Sequence, residues 1–316
     1  MIELAQIEAA RERIAGAAVR TPLIRLAVEE TPGVELWCKL ETLQPVNSFK
    51  IRGAANCVRA ADPALVAQGL VTASAGNMAQ GVAWIARALG VSATIAVPEH
   101  APATKLDAIA RLGGVVLKMP YTDWFEAIVS GRVAGVEGFF VHPVSEPAVM
   151  AGNGTIGLEI LEDLPEVDAV VIPCGGGGLT AGIASALRAL RPSTRVYTVE
   201  PETAAAFVAA RAAGEPVAID YVPSWVDGSG SRVVLADMWP QVAPLIDDAL
   251  IATLEETAGA VRLIAERLRV IAEGAGALAA AAALAGRAGG GRIVAIVSGG
   301  NIDSAVLTRI LAGETP

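Results

Sequence analysis

The heptapeptide Asn47-Ser48-Phe49-Lys50-Ile51-Arg52-Gly53 sets a lysine between two apolar side chains, just after a Gln44-Pro45 turn signal. An amine flanked this way sheds its charge by desolvation, and a neutral amine is a nucleophile toward carbonyls. The same seven residues also read as a surface lysine with its stem laid on apolar neighbours. Remote groups separate the two readings. Carbonyl chemistry at Lys50 needs a phosphate cradle, a partner for a ring nitrogen and a pocket for a carboxylate.

Outward from Lys50, strand and helix patterns alternate from Gly69 onward. Leu70–Ser74, Ala93–Pro98, Val115–Met119 and Phe139–His142 are predicted strands. Ala79–Leu89 and Thr104–Leu112 are predicted helices, and a third helix carries Trp124, Phe125, Ile128 and Val133. Trp124 and Phe125 lie where the small lobe could face the cleft, but read as core packing. A long helix is predicted from about Ala148. Asp168–Cys174 follows as a buried strand, Gly175–Gly178 as a loop, Leu179–Leu190 as a helix and Arg195–Val199 as a strand. Residues 200–235 read as irregular binding surface. Helices over Leu254–Arg269 and Ala275–Ala285 lead to a last strand, Arg292–Val297, which runs into Ser298-Gly299-Gly300-Asn301. The expected architecture is α/β with two lobes, each a largely parallel sheet flanked by helices, and ligand groups at the strand C-termini. Residues 69–143 would form the small lobe, and 1–68 with 144–316 the large one.

Three of those junctions carry chemistry. The run Gly175-Gly176-Gly177-Gly178 between strand and helix lets backbone N–H groups crowd round a phosphate at the positive end of a helix. No Gly-Lys-Ser/Thr follows, and the spacing is not GxGxxG. Ser74-Ala75-Gly76-Asn77 offers a hydroxyl, an amide and exposed N–H donors for a carboxylate or a ring oxygen, and reads equally as an N-capping loop. Ser298 closes the last strand with a hydroxyl, and by itself it is a turn residue.

Composition removes other classes. The chain has 316 residues and a net charge of −9 without a basic run, which argues against nucleic-acid binding. Apolar residues reach 53%, much of it alanine, but the longest apolar stretch, Ala275–Ala285, is too short for a bilayer. Two histidines, His100 and His142, build no metal cluster, and three cysteines, Cys38, Cys57 and Cys174, lack CxxC spacing. Those cysteines and the charged N-terminus point to a cytoplasmic protein.

Taken together, the motifs resemble the fold-type II pyridoxal-phosphate enzymes (tryptophan synthase β-like), specifically the threonine/serine dehydratase and serine racemase family in its short form without a regulatory domain. The resemblance runs through Asn47–Gly53, Ser74–Met78, Val141-His-Pro143, Glu146-Pro-Ala-Val149, Gly152-Asn-Gly-Thr155, Gly175–Gly178 and Ser298–Asn301. It implies pyridoxal 5'-phosphate as cofactor, joined to Lys50 as a Schiff base, with Phe49 against the ring. Gly175, Gly176, Gly177 and Gly178, with Leu179, would hold the phosphate. Asn77 would bond the ring hydroxyl, Ser298 the ring nitrogen, and Glu273 and Gly299 would complete the cofactor contacts. Ser74, Ala75, Gly76 and Asn77, with Ser231, would bind the substrate, Lys50 and Ser74 being the catalytic pair. A serine on the ring nitrogen does not force its protonation, and a weaker electron sink favours β-elimination. The implied activity is an ammonia-lyase acting on L-threonine, L-serine or a related small-molecule amino acid, in a homodimer or homotetramer.

The chain departs from the family pattern at three positions. Met78 stands where a histidine is usual. Ala206 stands six residues after Glu200, where the family's cation site has an acidic residue, so no metal is expected. Ala75 stands where racemases carry a second serine. The rival readings are a serine racemase, which Ala75 disfavours, a β-replacement synthase on the same fold, and a non-catalytic two-lobed binding protein, which would need no Schiff-base lysine.

Overall fold

The computed structural model describes residues 1–27 and 33–316. The chain opens with α1 (Leu4–Arg13), strands β1 (Leu23–Leu26) and β2 (Val34–Leu40), then α2 (Lys50–Ala60) and a short α3 (Pro63–Val66). Strand–helix alternation follows: β3 (Leu70–Ala73), α4 (Asn77–Leu89), β4 (Ala93–Pro98), α5 (Ala103–Arg111), β5 (Val115–Met119), α6 (Tyr121–Ser130) and β6 (Phe139–Phe140). Next come α7 (Pro147–Asp163), β7 (Ala169–Pro173), α8 (Gly178–Leu190), β8 (Arg195–Pro201), α9 (Ala206–Ala213) and a four-residue α10 (Trp239–Val242). The chain finishes with β9 (Asp248–Ala252), α11 (Leu254–Leu268), α12 (Gly274–Leu284), β10 (Gly291–Val297) and α13 (Ser304–Leu311).

Two sheets result. The larger has the order β1-β2-β10-β7-β8-β9, parallel except for the antiparallel edge pair β1–β2, and the smaller is the all-parallel β5-β4-β3-β6. A parallel sheet needs cover on both faces, so its strands read as continuous apolar runs. Alternation along β7 and β10 shows why. Val170, Ile172, Val294 and Ile296 enter the core shared with α7 and α8. Ala169, Val171, Ile293 and Ala295 enter the opposite core with α11 and α12. The alanines of α12 are buried throughout, and their small side chains let that helix lie close on the sheet. The small sheet has its own core, Leu70, Val82, Ile95 and Ile109, which Ala54, Val58 and Val66 from α2 and α3 join.

Several elements differ from the sequence reading. Residues 200–235 hold α9, and β1, β2 and β9 are further strands. Val133 lies beyond α6, because Gly131 adopts φ +67° and stops the helix at Ser130. The strand read over Phe139–His142 shrinks to two residues, and Gly178 already belongs to α8.

A buried ionic cluster locks the start of α2. Arg52 is fully buried, donating to both oxygens of Glu41 (2.8 Å each) and to both of Glu159 (2.6 and 2.8 Å). It also reaches the Thr155 hydroxyl at 3.0 Å, and Lys39 Nζ completes the set 2.6 Å from Glu159. Two cations face two anions, so no net charge is left without water. The close α2–α7 contact depends on Gly152, where a Cβ would sit 2.4 Å from the Arg52 carbonyl.

Candidate active site

Parallel pairing delivers the chemistry to one place. The connection after β2 carries Lys50, the end of β10 carries Ser298, and the end of β7 carries Cys174 and the glycine loop. These three strands are neighbours in the larger sheet. The backbone ties the first two directly: Phe49 N donates to Ser298 O at 3.0 Å, and Ser48 pairs with Gly299 in an isolated antiparallel bridge. Asn47 takes a positive φ of 54° in the turn before them, a conformation asparagine tolerates.

A cavity of about 290 Å3 opens between the sheets. Phe49, Lys50, Ser298 and Glu273 line it from one side, and Ser74, Ala75, Gly76 and Asn77, at the C-terminus of β3, from the other. The Lys50 ammonium donates to Pro143 O at 3.1 Å and lies 5.0 Å from the Phe49 ring centre. Desolvation lowers its pKa to about 8, against the opposing attraction of the Glu273 carboxylate. Glu273 is itself pushed up to about 7 by burial, although Asn77 Nδ2 donates to it at 2.7 Å.

The next residue after Pro143 links the lysine to the glycine loop. A Cβ on Gly176 would meet the Val144 side chain at 2.5 Å, and one on Gly178 the Val144 carbonyl at 2.5 Å. Gly177 holds φ +90° as the N-cap of α8. The first α8 hydrogen bond that reaches back to this loop is Ala181 N to Gly177 O, so the amides ahead of Ala181 sit at the positive end of a thirteen-residue helix. This is a cradle that only backbone N–H groups can line. With a desolvated amine and an aromatic ring beside it, the set fits a phosphorylated aldehyde bearing an aromatic ring.

Not every expected site residue reaches this cavity. Gly175, Gly176, Gly177, Gly178 and Leu179 lie beside it, at the end of β7, and Gly299 packs behind Glu273, whose amide donates to Gly299 O at 2.9 Å. Ser231 does not join the lining: its hydroxyl is buried without a partner, and its amide donates to Ala204 O. In its loop it is Asp227 and Gly228 that face the cavity. Trp124 is a cavity wall as well as a packing residue, and Lys105 and Met78 also line the space; Phe125 is exposed instead. Lys105 Nζ meets Asp227 at 2.5 Å, joining α5 to the 227 loop.

The residue matching a cation ligand has one oxygen held by backbone donors and the other, Oε1, buried without a hydrogen-bond partner. Glu200 is fully buried, and its Oε2 accepts from the amides of Phe207 (2.9 Å) and Val208 (3.1 Å) in the first turn of α9. Ala206 is packed in the apolar core and offers no oxygen.

If burial lowers the Lys50 pKa, the amine of the cofactor-free protein is half neutral near pH 8, where exposed lysines at about 10.4 stay charged. Its acylation by an amine reagent, followed by peptide mass spectrometry, is expected to reach half-maximal rate near pH 8. A midpoint above about 10 would show that Lys50 is solvated.

The family described as pyridoxal-phosphate dependent enzymes matches residues 14–299. The L-threonine ammonia-lyase of Thermotoga maritima is 38% identical over 98% of this chain and 78% of that protein. A serine racemase of Oryza sativa is 35% identical over 98% of this chain and 94% of its own. The solved structure of maize serine racemase superposes with a TM-score of 0.90 at 32% identity, covering 99% of this chain and 97% of that one.

Proposed function

The chain belongs to the pyridoxal-phosphate dependent enzymes, and on that footing we propose that it is an ammonia-lyase converting L-threonine, L-serine or a related β-hydroxy-α-amino acid to a 2-oxo acid and ammonia. The observation that carries this reading is the desolvated Lys50 amine in one cavity with the Ser298 hydroxyl and without a second proton donor beside Ser74. When bound, pyridoxal phosphate supplies an aldehyde that links to amines and an electron-withdrawing ring that loosens the bonds at the attached Cα.

The protein supplies the rest. The amides of the glycine loop and the α8 N-terminus would hold the phosphate, Phe49 would pack against the ring, Asn77 would donate to the ring hydroxyl, and Ser298 would meet the ring nitrogen without contributing a charge. Ser74 and Gly76, with the first turn of α4 behind them, grip the substrate carboxylate. Lys50, neutral as an amine, takes the Cα proton and becomes an ammonium. The Cα–H electron pair forms the Cα=Cβ double bond as the β-hydroxyl leaves as water, taking the proton that Lys50 has accepted and returning Lys50 to the neutral amine. The released enamine tautomerises to an imine, and water then yields oxo acid and ammonia.

Inversion at Cα needs a donor on the face opposite Lys50, and the Ser74 loop offers the Ala75 methyl there. L-Serine is therefore expected to give oxo acid and ammonia with little D-serine, and Ala75→Ser to raise the D-serine fraction. A coupled 2-oxo-acid assay with chiral chromatography reads both. D-Serine formed as fast as oxo acid in the parent enzyme would favour the racemase reading. A colourless protein lacking absorbance near ~410 nm would favour the non-catalytic binder.

Metal dependence is a separate expectation. The α9 amides already occupy one Glu200 oxygen, and Ala206 supplies none, so EDTA should leave most of the activity. A large loss restored by Mg2+ or Ca2+ would show that another carboxylate completes a site.

The proposal extends to organisation. Residues 69–143, which contain the four-stranded sheet, act as a small lobe moving against 1–68 and 144–316. The enzyme assembles as a homodimer or homotetramer and works in the cytoplasm, in keeping with three buried, unpaired cysteines. Among the described residues no helix is long and apolar enough to cross a membrane.

A further inference from the structure

The amide of Asn77 can face its neighbours in two ways, and the hydrogen bonds around it permit one. The reasoning starts at the Val46 carbonyl, which can only accept. Asn301 Nδ2 lies 2.9 Å from Val46 O, so this atom of Asn301 is the nitrogen. The same Nδ2 lies 2.7 Å from the Asn77 side chain, and with its other N–H it must meet an oxygen there. Asn77 therefore turns Oδ1 to Asn301 and Nδ2 to Glu273, whose Oε1 accepts at 2.7 Å. One of the two Nδ2 hydrogens is thus used, and the other is left for the cavity that Asn77 lines. Asn47 Nδ2, at 3.4 Å, is aligned with Asn301 Oδ1 and supports the same orientation.

We propose that Asn301 is a positioning residue: by donating to Asn77 Oδ1 it holds the Asn77 amide with an N–H, and not a lone pair, toward the ring oxygen of the cofactor. A flipped amide would set Oδ1 against the Glu273 oxygen and Nδ2 against the Asn301 nitrogen, losing both hydrogen bonds and adding a repulsion at each. Asn77 sits at the head of α4 on the small-sheet side, whereas Val46, Asn301 and Glu273 belong to segments around the larger sheet. Asn301 thus also carries the orientation of the donor across the cleft. The proposal rests on the Asn77 ring contact proposed above and not on the choice of lyase over racemase.

The test compares Asn77→Ala, Asn301→Asp, Asn301→Ala and the double variant Asn77→Ala/Asn301→Ala. Each is freed of cofactor and titrated with pyridoxal phosphate, following protein fluorescence for affinity and visible circular dichroism for ring orientation. Far-UV circular dichroism and thermal melts report the fold. Asn301→Asp loses both donors and sets an oxygen against Asn77, whereas Asn301→Ala removes the donors and leaves no polar group there, without adding charge. Both are expected to weaken cofactor binding about tenfold, one hydrogen bond's worth, and to change the visible dichroism as Asn77→Ala does. The double variant should be no worse than Asn77→Ala. Folded Asn301 variants with parental affinity and dichroism would overturn the proposal, and so would losses that add in the double variant. If Asn77→Ala alone changes nothing, the ring contact fails and Asn301 positioning falls with it, while the ammonia-lyase assay is judged independently.

Discussion

Lys50→Ala is expected to lower ammonia release by at least about 10^4-fold, because one side chain is proposed to provide both the tether to the cofactor and the base at Cα. The fold should survive: Lys50 stands at the first position of α2, and the ionic cluster that anchors the helix is formed two residues later by Arg52. Binding of pyridoxal phosphate should weaken without vanishing, since the glycine loop and α8 remain. Added small primary amines should restore part of the rate, and more of it as pH rises, since only the neutral amine accepts a proton. A variant releasing ammonia at a near-parental rate would remove Lys50 from the mechanism. A variant lacking thermal stability would mean the side chain serves mainly in folding.

Arg52→Met is expected to be the most damaging substitution for stability, at about 3–5 kcal/mol. Methionine fills much of the volume but leaves Glu41 and Glu159 buried with Lys39 as their one remaining cation. Urea denaturation reads the loss, and adding Glu41→Gln should recover part of it by removing the stranded charge. A loss below about 1 kcal/mol would mean water or a rearranged Lys39 serves the carboxylates equally well. The pH dependence has a definite sign. Burial by itself would raise the Glu41 pKa, and the adjacent Arg52 guanidinium overrides this and holds it below the usual value. The parent therefore has this contribution at neutral pH and loses it as pH falls below about 4 toward the folded pKa. In Arg52→Met the Glu41 carboxylate is no longer held down by the guanidinium, so the penalty should shrink on acidification.

What could be read along the sequence was local. Lys50 between Phe49 and Ile51, four glycines between a strand and a helix, and Ser298 at a strand end are each visible within a few residues. Strands β4 and β5 coincide with their predicted spans because they are short apolar runs between turn signals. Strand β2 escapes because Glu35 and Lys39 interrupt its apolar pattern, and Lys39 is tolerated there only through Glu159, which comes from α7. Helix α9 escapes because eight alanine-rich residues between Pro201 and Gly214 carry a weak pattern in a segment full of breakers. Trp124 lies where the sequence allows it to face the cleft but reads as core from its helical spacing; in the fold it does both. The Asn301–Asn77 contact joins residues 224 positions apart and leaves no periodic trace.

The bond from Phe49 N to Ser298 O divides labour in the site. The amine proposed to move the proton and the residue proposed to set the ring's electron demand are stitched into one piece of backbone, so the distance between them would be insulated from movement of the proposed small lobe. The groups proposed to grip the substrate carboxylate arrive on a different sheet. Mutation can therefore redraw which amino acid is admitted, through Ala75, Met78 or Trp124, while leaving the bond-breaking apparatus in register. On such a scaffold new substrates are reached by drift in one half, without rebuilding the other.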